Sequence, residues 1–457
     1  MSRINNEQQE GEKSYPFARW MSWLFLTASA LLLVYTYYRS EIVFLGVRGY
    51  FYFKYYLIEL IGILFWGIVL RLGGEIRANI VTMAISLVVG LYLVEGTLTV
   101  FRLGLPQQRL QLPVKHGVVE YDERTKLEVI EDLVANGVDA VPAPTGLSFI
   151  RIIGTNKENI DHLFPLGGVS NKTAVHDNES GKRMVYKSDR HGFNNPDSQW
   201  DSQTIEWMLI GDSFTHGDSV QPGQEIAGQI RSITRTDAIS LGIAAFGPLL
   251  EYAVLVEYGK TLAPKKVLWI YCEVNDLIDL NREKQNLLLM RYMEDEFSQN
   301  LINRQKEIDA MLVQAQLQAQ EKMLVKSRWM RLFAIRNSIG FDRLDVDYDV
   351  DVDDLLFANI LTKAKARVEA WGGKIYFVYL PQYERYITKV NSHDMYLKKS
   401  EVINVVKGLD IPVIDIHQEI FANHPDPLAL FPYRLDGHYT ADGYREVTKA
   451  IIEKIKD

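Results

Sequence analysis

Three apolar runs in the first hundred residues constrain this chain more than any other feature. Residues 20–37 are mostly apolar and carry no charge, residues 56–70 are apolar except for Glu59, and residues 80–101 are mostly apolar with Glu95 as their one charged residue. Each approaches the roughly 20 residues needed to span a bilayer as a helix, the second only if it begins among residues 51–55. The reading is three transmembrane helices over residues 1–102, with the lipid bilayer as a partner. A cleaved signal peptide fits less well, because the first run is long and two more follow. Trp20, Trp23, Tyr35, Tyr37, Tyr38 and residues 51–56 place aromatic side chains at the run ends, as an interfacial belt requires.

Arg3, Lys13, Arg19, Arg71 and Arg77 fall on one side of these spans and Arg39, Arg48 and Lys54 on the other, five basic residues against three. The bias places the N-terminus in the cytoplasm and everything after Phe101 outside it, as in a multi-pass membrane protein with an extracytoplasmic domain. Glu59 and Glu95 lie within two turns of a span end and read as reaching interfacial water.

A chain of 457 residues with 47% hydrophobic residues exceeds one ordinary domain. Its net charge of −8, without an extended basic stripe, argues against nucleic acid as a partner. Cys272 is the single cysteine and cannot form an internal disulfide. It sits inside an apolar strand pattern and reads as core.

From residue 205 onward short apolar strands (206–211, 237–243, 266–273, 374–380, 412–416) alternate with helical patterns (222–234, 249–260, 355–371, 397–407, 441–456). That alternation implies an α/β fold built on a parallel, doubly wound sheet over residues 205–457. A helical insertion at about 281–354 interrupts it. Leu288, Met293, Phe297, Leu301, Ile308, Met311 and Leu312 are spaced there for an amphipathic helix or hairpin covering the sheet edge. Acids alternate over residues 345–354 but lack the glycine and closing glutamate of a calcium loop. Residues 103–204 form a polar lead-in with one clear helix at 123–136, able to cover the active-site rim or only to bridge membrane and enzyme, with bridging the favoured reading.

The chemistry concentrates at four places. Gly211-Asp212-Ser213-Phe214-Thr215-His216-Gly217 follows the apolar run at 207–210 and reads as a serine on a sharp strand-to-helix turn. Residues 240–248, punctuated by Gly242 and Gly247, are able to bring backbone N–H groups to a reacting carbonyl. The strand at 266–272 delivers Asn275 at its C-terminal end, where a side-chain amide suits an oxyanion. Near the C-terminus, Asp436-Gly437-His438 supplies a base with a carboxylate two residues before it. His216, His417 and His424 lack that pattern. No metal-ligand spacing and no cofactor motif is apparent, so neither a metal nor a cofactor is expected.

These four blocks resemble the SGNH (GDSL-type) hydrolase superfamily over roughly residues 205–457. The resemblance implies a flavodoxin-like fold, Ser213 as nucleophile, His438 as base and Asp436 as the residue that fixes the histidine tautomer. It assigns the oxyanion hole to the Ser213 N–H, the Asn275 amide and the N–H of Ala245 or Gly247. Ala245 stands where the family carries glycine, and its N–H serves as a donor if its φ is negative. The implied activity is a serine esterase acting on small acyl groups, with acetyl esters of an envelope or exported carbohydrate as the substrate that fits an outward-facing anchored domain. Two rival readings are an O-acetyltransferase component working with a membrane acyltransferase partner, and a catalytically silent assembly or binding protein.

Overall fold

The computed structural model describes residues 15–43, 49–100, 121, 122, 124–153, 163–324, 332, 335, 336, 354–387, 398–435 and 437–455. The chain divides into two compact units, Met1–Gln107 with Met323–Asp347, and Gln108–Lys322 with Tyr348–Asp457. Asp436 and the acidic run at 345–353 lie outside the described residues.

In the first unit three helices are long and apolar enough to cross a membrane: Pro16–Ile42, Tyr52–Val69 and Gly74–Leu98. Large apolar side chains such as Leu64 and Leu87 stay exposed on them, as a lipid-facing surface requires. Phe25 stacks on Trp66 at 4.6 Å within a small cluster of Ala18, Trp66, Val69 and Val81. The two acids do not reach out to water. Glu59 is buried and accepts a hydrogen bond from Thr36 Oγ1 at 2.7 Å, and Glu95, also buried, accepts the Ile335 N–H at 2.9 Å. Each carboxyl thus has a partner inside the protein, although Glu59 Oε2 is buried without a hydrogen bond among the described residues.

In the second unit five strands, all parallel, form the main sheet in the order β5-β4-β6-β7-β8. They are β4 (Trp207–Gly211), β5 (Ala238–Ser240), β6 (Lys266–Cys272), β7 (Lys374–Leu380) and β8 (Val413–Asp415). The side chains of β4, β5, β6 and β7 are buried nearly throughout, which is what a sheet covered on both faces demands, while those of the edge strand β8 are partly exposed. One face packs against helices Pro248–Val254 and Asp354–Ala370 and the other against Ile226–Thr234 and Ala441–Lys454, giving two apolar layers. The strand order reverses between β4 and β6. Ligands of open α/β sheets bind at that crevice, and it is where Ser213 and Asn275 emerge.

The lead-in is part of the second unit. It carries a three-stranded sheet in the order β1-β2-β3, with β1 (Ala140–Pro142), β2 (Thr173–Val175) and β3 (Val185–Lys187). Buried Asp189 accepts hydrogen bonds from the His191 and Phe193 N–H groups, Asn195 Nδ2 and Trp200 Nε1. Asn195 in turn bonds the Ser240 backbone on both sides, at 2.8 Å each way. These bonds tie the lead-in to β5, so it belongs to the unit that holds the sheet.

The insertion breaks into short helices, Leu287–Met290 and two 3-10 turns, before the helix Gln305–Leu324. The cause is Glu257, whose buried carboxylate accepts from Tyr292 OH, Ser298 Oγ and the N–H groups of Gln299 and Leu301. Residues 292–301 wrap around this charge instead of continuing as a helix. Leu288, Leu289, Tyr292, Leu301, Ile308 and Leu312 still join the core.

Candidate active site

The turn after β4 is built to present one hydroxyl. A Cβ on Gly211 would lie 2.2 Å from Thr215 Oγ1 and 2.6 Å from the Ile270 carbonyl oxygen, so only glycine lets the chain bend there. Asp212, fully buried, then accepts the Phe214 N–H at 2.9 Å and caps the short helix Ser213–His216. Gly217 closes the turn at φ +90. Ser213 is left half-buried at the C-terminal edge of the sheet.

His438 approaches from the other end of the chain, just before helix Ala441–Lys454, whose first turn is capped by Thr440 Oγ1. Its Nε2 lies 2.7 Å from Ser213 Oγ, and its ring packs on Phe214 with centroids 4.6 Å apart. The carboxylate at its other nitrogen is Glu179. Glu179 Oε2 is 2.9 Å from His438 Nδ1 and also accepts the His438 backbone N–H at 3.0 Å. Asp436, the carboxylate that the sequence pairs with His438, lies outside the described residues; among the described residues the carboxylate at His438 Nδ1 comes from the β2–β3 hairpin. Gly437 makes this possible: its φ is +145, and a Cβ there would stand 2.8 Å from Glu179 Oε2.

The electrostatics hold the imidazole toward its charged form. Burial alone would lower the His438 pKa, but the Glu179 carboxylate, by charge and hydrogen bond, with Asp218 and Asp212 adding to it, pushes it up to about 9. Burial raises Asp212 above the usual carboxylate range, opposed by the charge of His438 and by its bonds to Phe214 N–H and Asn275.

The oxyanion candidates divide. Asn275 lies at the end of β6 as expected, and its Nδ2 donates to Asp212 Oδ2 at 3.0 Å and to Asp279 Oδ2 at 3.2 Å. Both amide hydrogens are thus held by carboxylates, and one bond must be exchanged for the substrate oxygen before Asn275 stabilises an oxyanion. Ala245 has φ +60, the left-handed conformation that glycine adopts without cost and alanine only with strain. Its N–H has no partner among the described residues. The backbone path therefore survives the loss of glycine, at positive rather than negative φ. Gly146 of the lead-in leaves room for it, since a Cβ there would fall 2.2 Å from the Ala245 carbonyl oxygen. Gly247 is not a donor to this site. Its N–H is spent on Glu283 Oε1 at 2.6 Å, and the same carboxyl accepts from Leu249 and Leu250, capping helix Pro248–Val254.

His216, His417 and His424 bond to groups other than the Ser213 hydroxyl. His417 pairs with Tyr386 OH at 2.9 Å and His424 Nδ1 accepts the Asp426 N–H at 3.0 Å. His216 is fully buried and points to Asp218, 2.6 Å away. Cys272 is buried in β6, and burial holds its thiol well above the normal range.

No protein-family model matches this sequence and no curated protein is significantly similar to it. Among solved structures, it is similar to a protein described as lipolytic, of the G-D-S-L family, from Desulfitobacterium hafniense DCB-2, at 11% identity and a TM-score of 0.33 over 55% of this chain and 99% of that one.

Proposed function

We propose that this chain is a membrane-anchored serine esterase of the SGNH (GDSL) type, with Ser213 as nucleophile, His438 as general base and Glu179 as the carboxylate that orients it. One observation carries the reading: Ser213 Oγ, His438 and Glu179 form a continuous hydrogen-bonded line, 2.7 Å and 2.9 Å, at the switch point of a parallel sheet. In the reaction His438 Nε2 takes the hydroxyl proton as Oγ attacks the ester carbonyl. The tetrahedral intermediate expels the alcohol, which leaves with the proton from His438. Water, activated by the same nitrogen, then hydrolyses the acyl-serine. The Ser213 and Ala245 N–H groups and the Asn275 amide hold the oxyanion.

The substrate we assign is a small acyl ester, an acetyl group on envelope or exported carbohydrate. It is supported by the apolar helices and by the basic bias, five residues against three, which favours a second unit outside the cytoplasm. The test of the enzyme is covalent: the full-length protein in detergent, incubated with a fluorophosphonate probe, should be modified at Ser213 and nowhere else. Lack of labelling in folded wild type would sink the reading. The test of orientation is a reporter active only outside the cytoplasm. Fused after Asp457 it should be active, and fused within residues 71–73 it should be silent; the reverse pattern removes extracytoplasmic carbohydrate as substrate.

The oxyanion assignment predicts a specific kinetic loss. Asn275→Ala should lower kcat by about 10²- to 10³-fold with little change in KM, the usual consequence of losing one donor. Ala245→Gly should retain activity and relieve backbone strain. Steady-state kinetics decide: an active wild type indifferent to Asn275→Ala removes Asn275 from the mechanism.

A further inference from the structure

The hairpin that delivers Glu179 carries a second titratable side chain, His176, which takes no part in acyl transfer. His176 follows β2 directly, its backbone N–H bonded to the Met184 carbonyl at 2.9 Å and its own carbonyl accepting from Arg183 at 2.9 Å. The side chain is only 5% exposed and its Nε2 stands 3.4 Å from Asp218 Oδ2. That nitrogen has no hydrogen-bond partner among the described residues. On the other side of Asp218, His216 Nδ1 lies 2.6 Å from Oδ1, and His216 Nε2 is 3.1 Å from Tyr186 OH. One ligand atom from each of His176, His216 and Asp218 lies within 4.8 Å of the other two.

A hydrogen bond between His216 and Asp218 accounts for half of this arrangement. It leaves His176 Nε2, a nitrogen that has lost its water, facing a carboxylate oxygen without bonding to it. A cation between the three groups accounts for all of it. Two imidazole nitrogens and a carboxylate oxygen are the donor set of a zinc site that keeps one further position. Tyr186 OH sits where a ligating histidine needs a partner on its second nitrogen: accepting the Nε2–H of His216, it fixes the tautomer whose Nδ1 lone pair faces Asp218. The 3.4 Å separation of His176 Nε2 and Asp218 Oδ2 matches two ligands on one tetrahedral ion with bonds near 2.0–2.2 Å. The shorter His216–Asp218 contact would open as the metal replaces the shared proton.

The backbone holds these donors firmly. Asn194 Nδ2 donates to the His216 carbonyl at 3.0 Å and Tyr444 OH to the Asp218 carbonyl at 3.2 Å. His176 and His216 are forty positions apart, which is why no ligand spacing is visible in the sequence. Hard cations such as Mg²⁺ favour oxygen ligands, whereas imidazole selects zinc and its neighbours.

We propose that His176, His216 and Asp218 bind one zinc-like divalent cation, which staples the hairpin carrying Glu179 to the turn carrying Ser213. The ion acts by linking these two segments, with its fourth position left to a further ligand such as water, and the site stands or falls independently of the esterase reading. The experiment uses full-length protein in detergent, stripped with chelator and titrated with Zn²⁺ against a chromophoric competitor. One equivalent should bind, the thermal unfolding midpoint should rise, and Mg²⁺ should do neither. Co²⁺ should give the intense visible bands of a tetrahedral site, a readout that needs no variant. His176→Ala and Asp218→Asn should each abolish stoichiometric binding, while Ser213→Ala binds like wild type. No Zn²⁺ uptake and no cobalt bands in folded wild type overturns the proposal, and so does uptake that persists undiminished in both variants.

Discussion

Replacing Ser213 with alanine is expected to remove ester hydrolysis almost completely while leaving the fold intact. The hydroxyl is the only atom lost, and its contacts are His438 Nε2 at 2.7 Å and a long approach of 3.5 Å to Asp212 Oδ2. His438 keeps its bonds to Glu179, and the turn keeps its cap, because Asp212 bonds the Phe214 N–H rather than the serine. Stability should therefore change by about 1 kcal/mol or less, the worth of one partly exposed hydrogen bond. Catalysis should fall by about 10³-fold or more, since without Oγ no acyl-enzyme forms and only the oxyanion donors and binding remain. Hydrolysis of p-nitrophenyl acetate and thermal unfolding, measured on the same preparation, check both halves. A stable variant retaining more than about a tenth of wild-type kcat would mean that Ser213 is not the nucleophile.

The fold was legible where a segment is decided by its own residues. Lys374–Leu380 is a strand at the bounds its apolar run predicts, and Ala441–Lys454 begins where Thr440 offers a cap. It was illegible where a distant charge decides. Nothing between Leu288 and Leu312 shows that Glu257 will gather the Tyr292 to Leu301 segment into turns. The helix predicted over 249–260 is likewise interrupted by a π-helical stretch, Leu255–Gly259, that contains this same glutamate.

The candidate site follows the same division. Ser213, Asn275 and His438 each sit at the end or start of a local element, so motif spacing finds them. Gly247 failed as a donor because Glu283, 36 positions away, takes its N–H. Glu179 lies 259 positions from His438 in a segment of short strands, and no spacing rule reaches that far. The one local trace of it is Gly437, whose missing side chain leaves a space that a carboxylate from elsewhere fills.

Glu179→Gln is expected to lower kcat by about 10⁴-fold, the loss seen when a triad carboxylate becomes an amide and the histidine adopts the wrong tautomer. The glutamine keeps the size of the side chain and loses the charge that His438 Nδ1 and the His438 N–H now share. A pH signature should accompany the loss. In wild type His438 has its pKa pushed up to about 9, burial working against the Glu179 carboxylate and losing. The imidazole is therefore charged at neutral pH and becomes a base only as pH rises, so kcat/KM should climb toward a limb near that value. Removing the carboxylate leaves burial to act, and the limb of the variant should move to lower pH even as its height collapses. A purely structural role for Glu179 would lower activity without moving the limb. Asp436→Asn provides the contrast, because the sequence pairs that residue with His438 while the described structure pairs Glu179. If Asp436→Asn costs the larger factor and shifts the limb, and Glu179→Gln does neither, the carboxylate of this triad is the nearby aspartate and the hairpin only covers it.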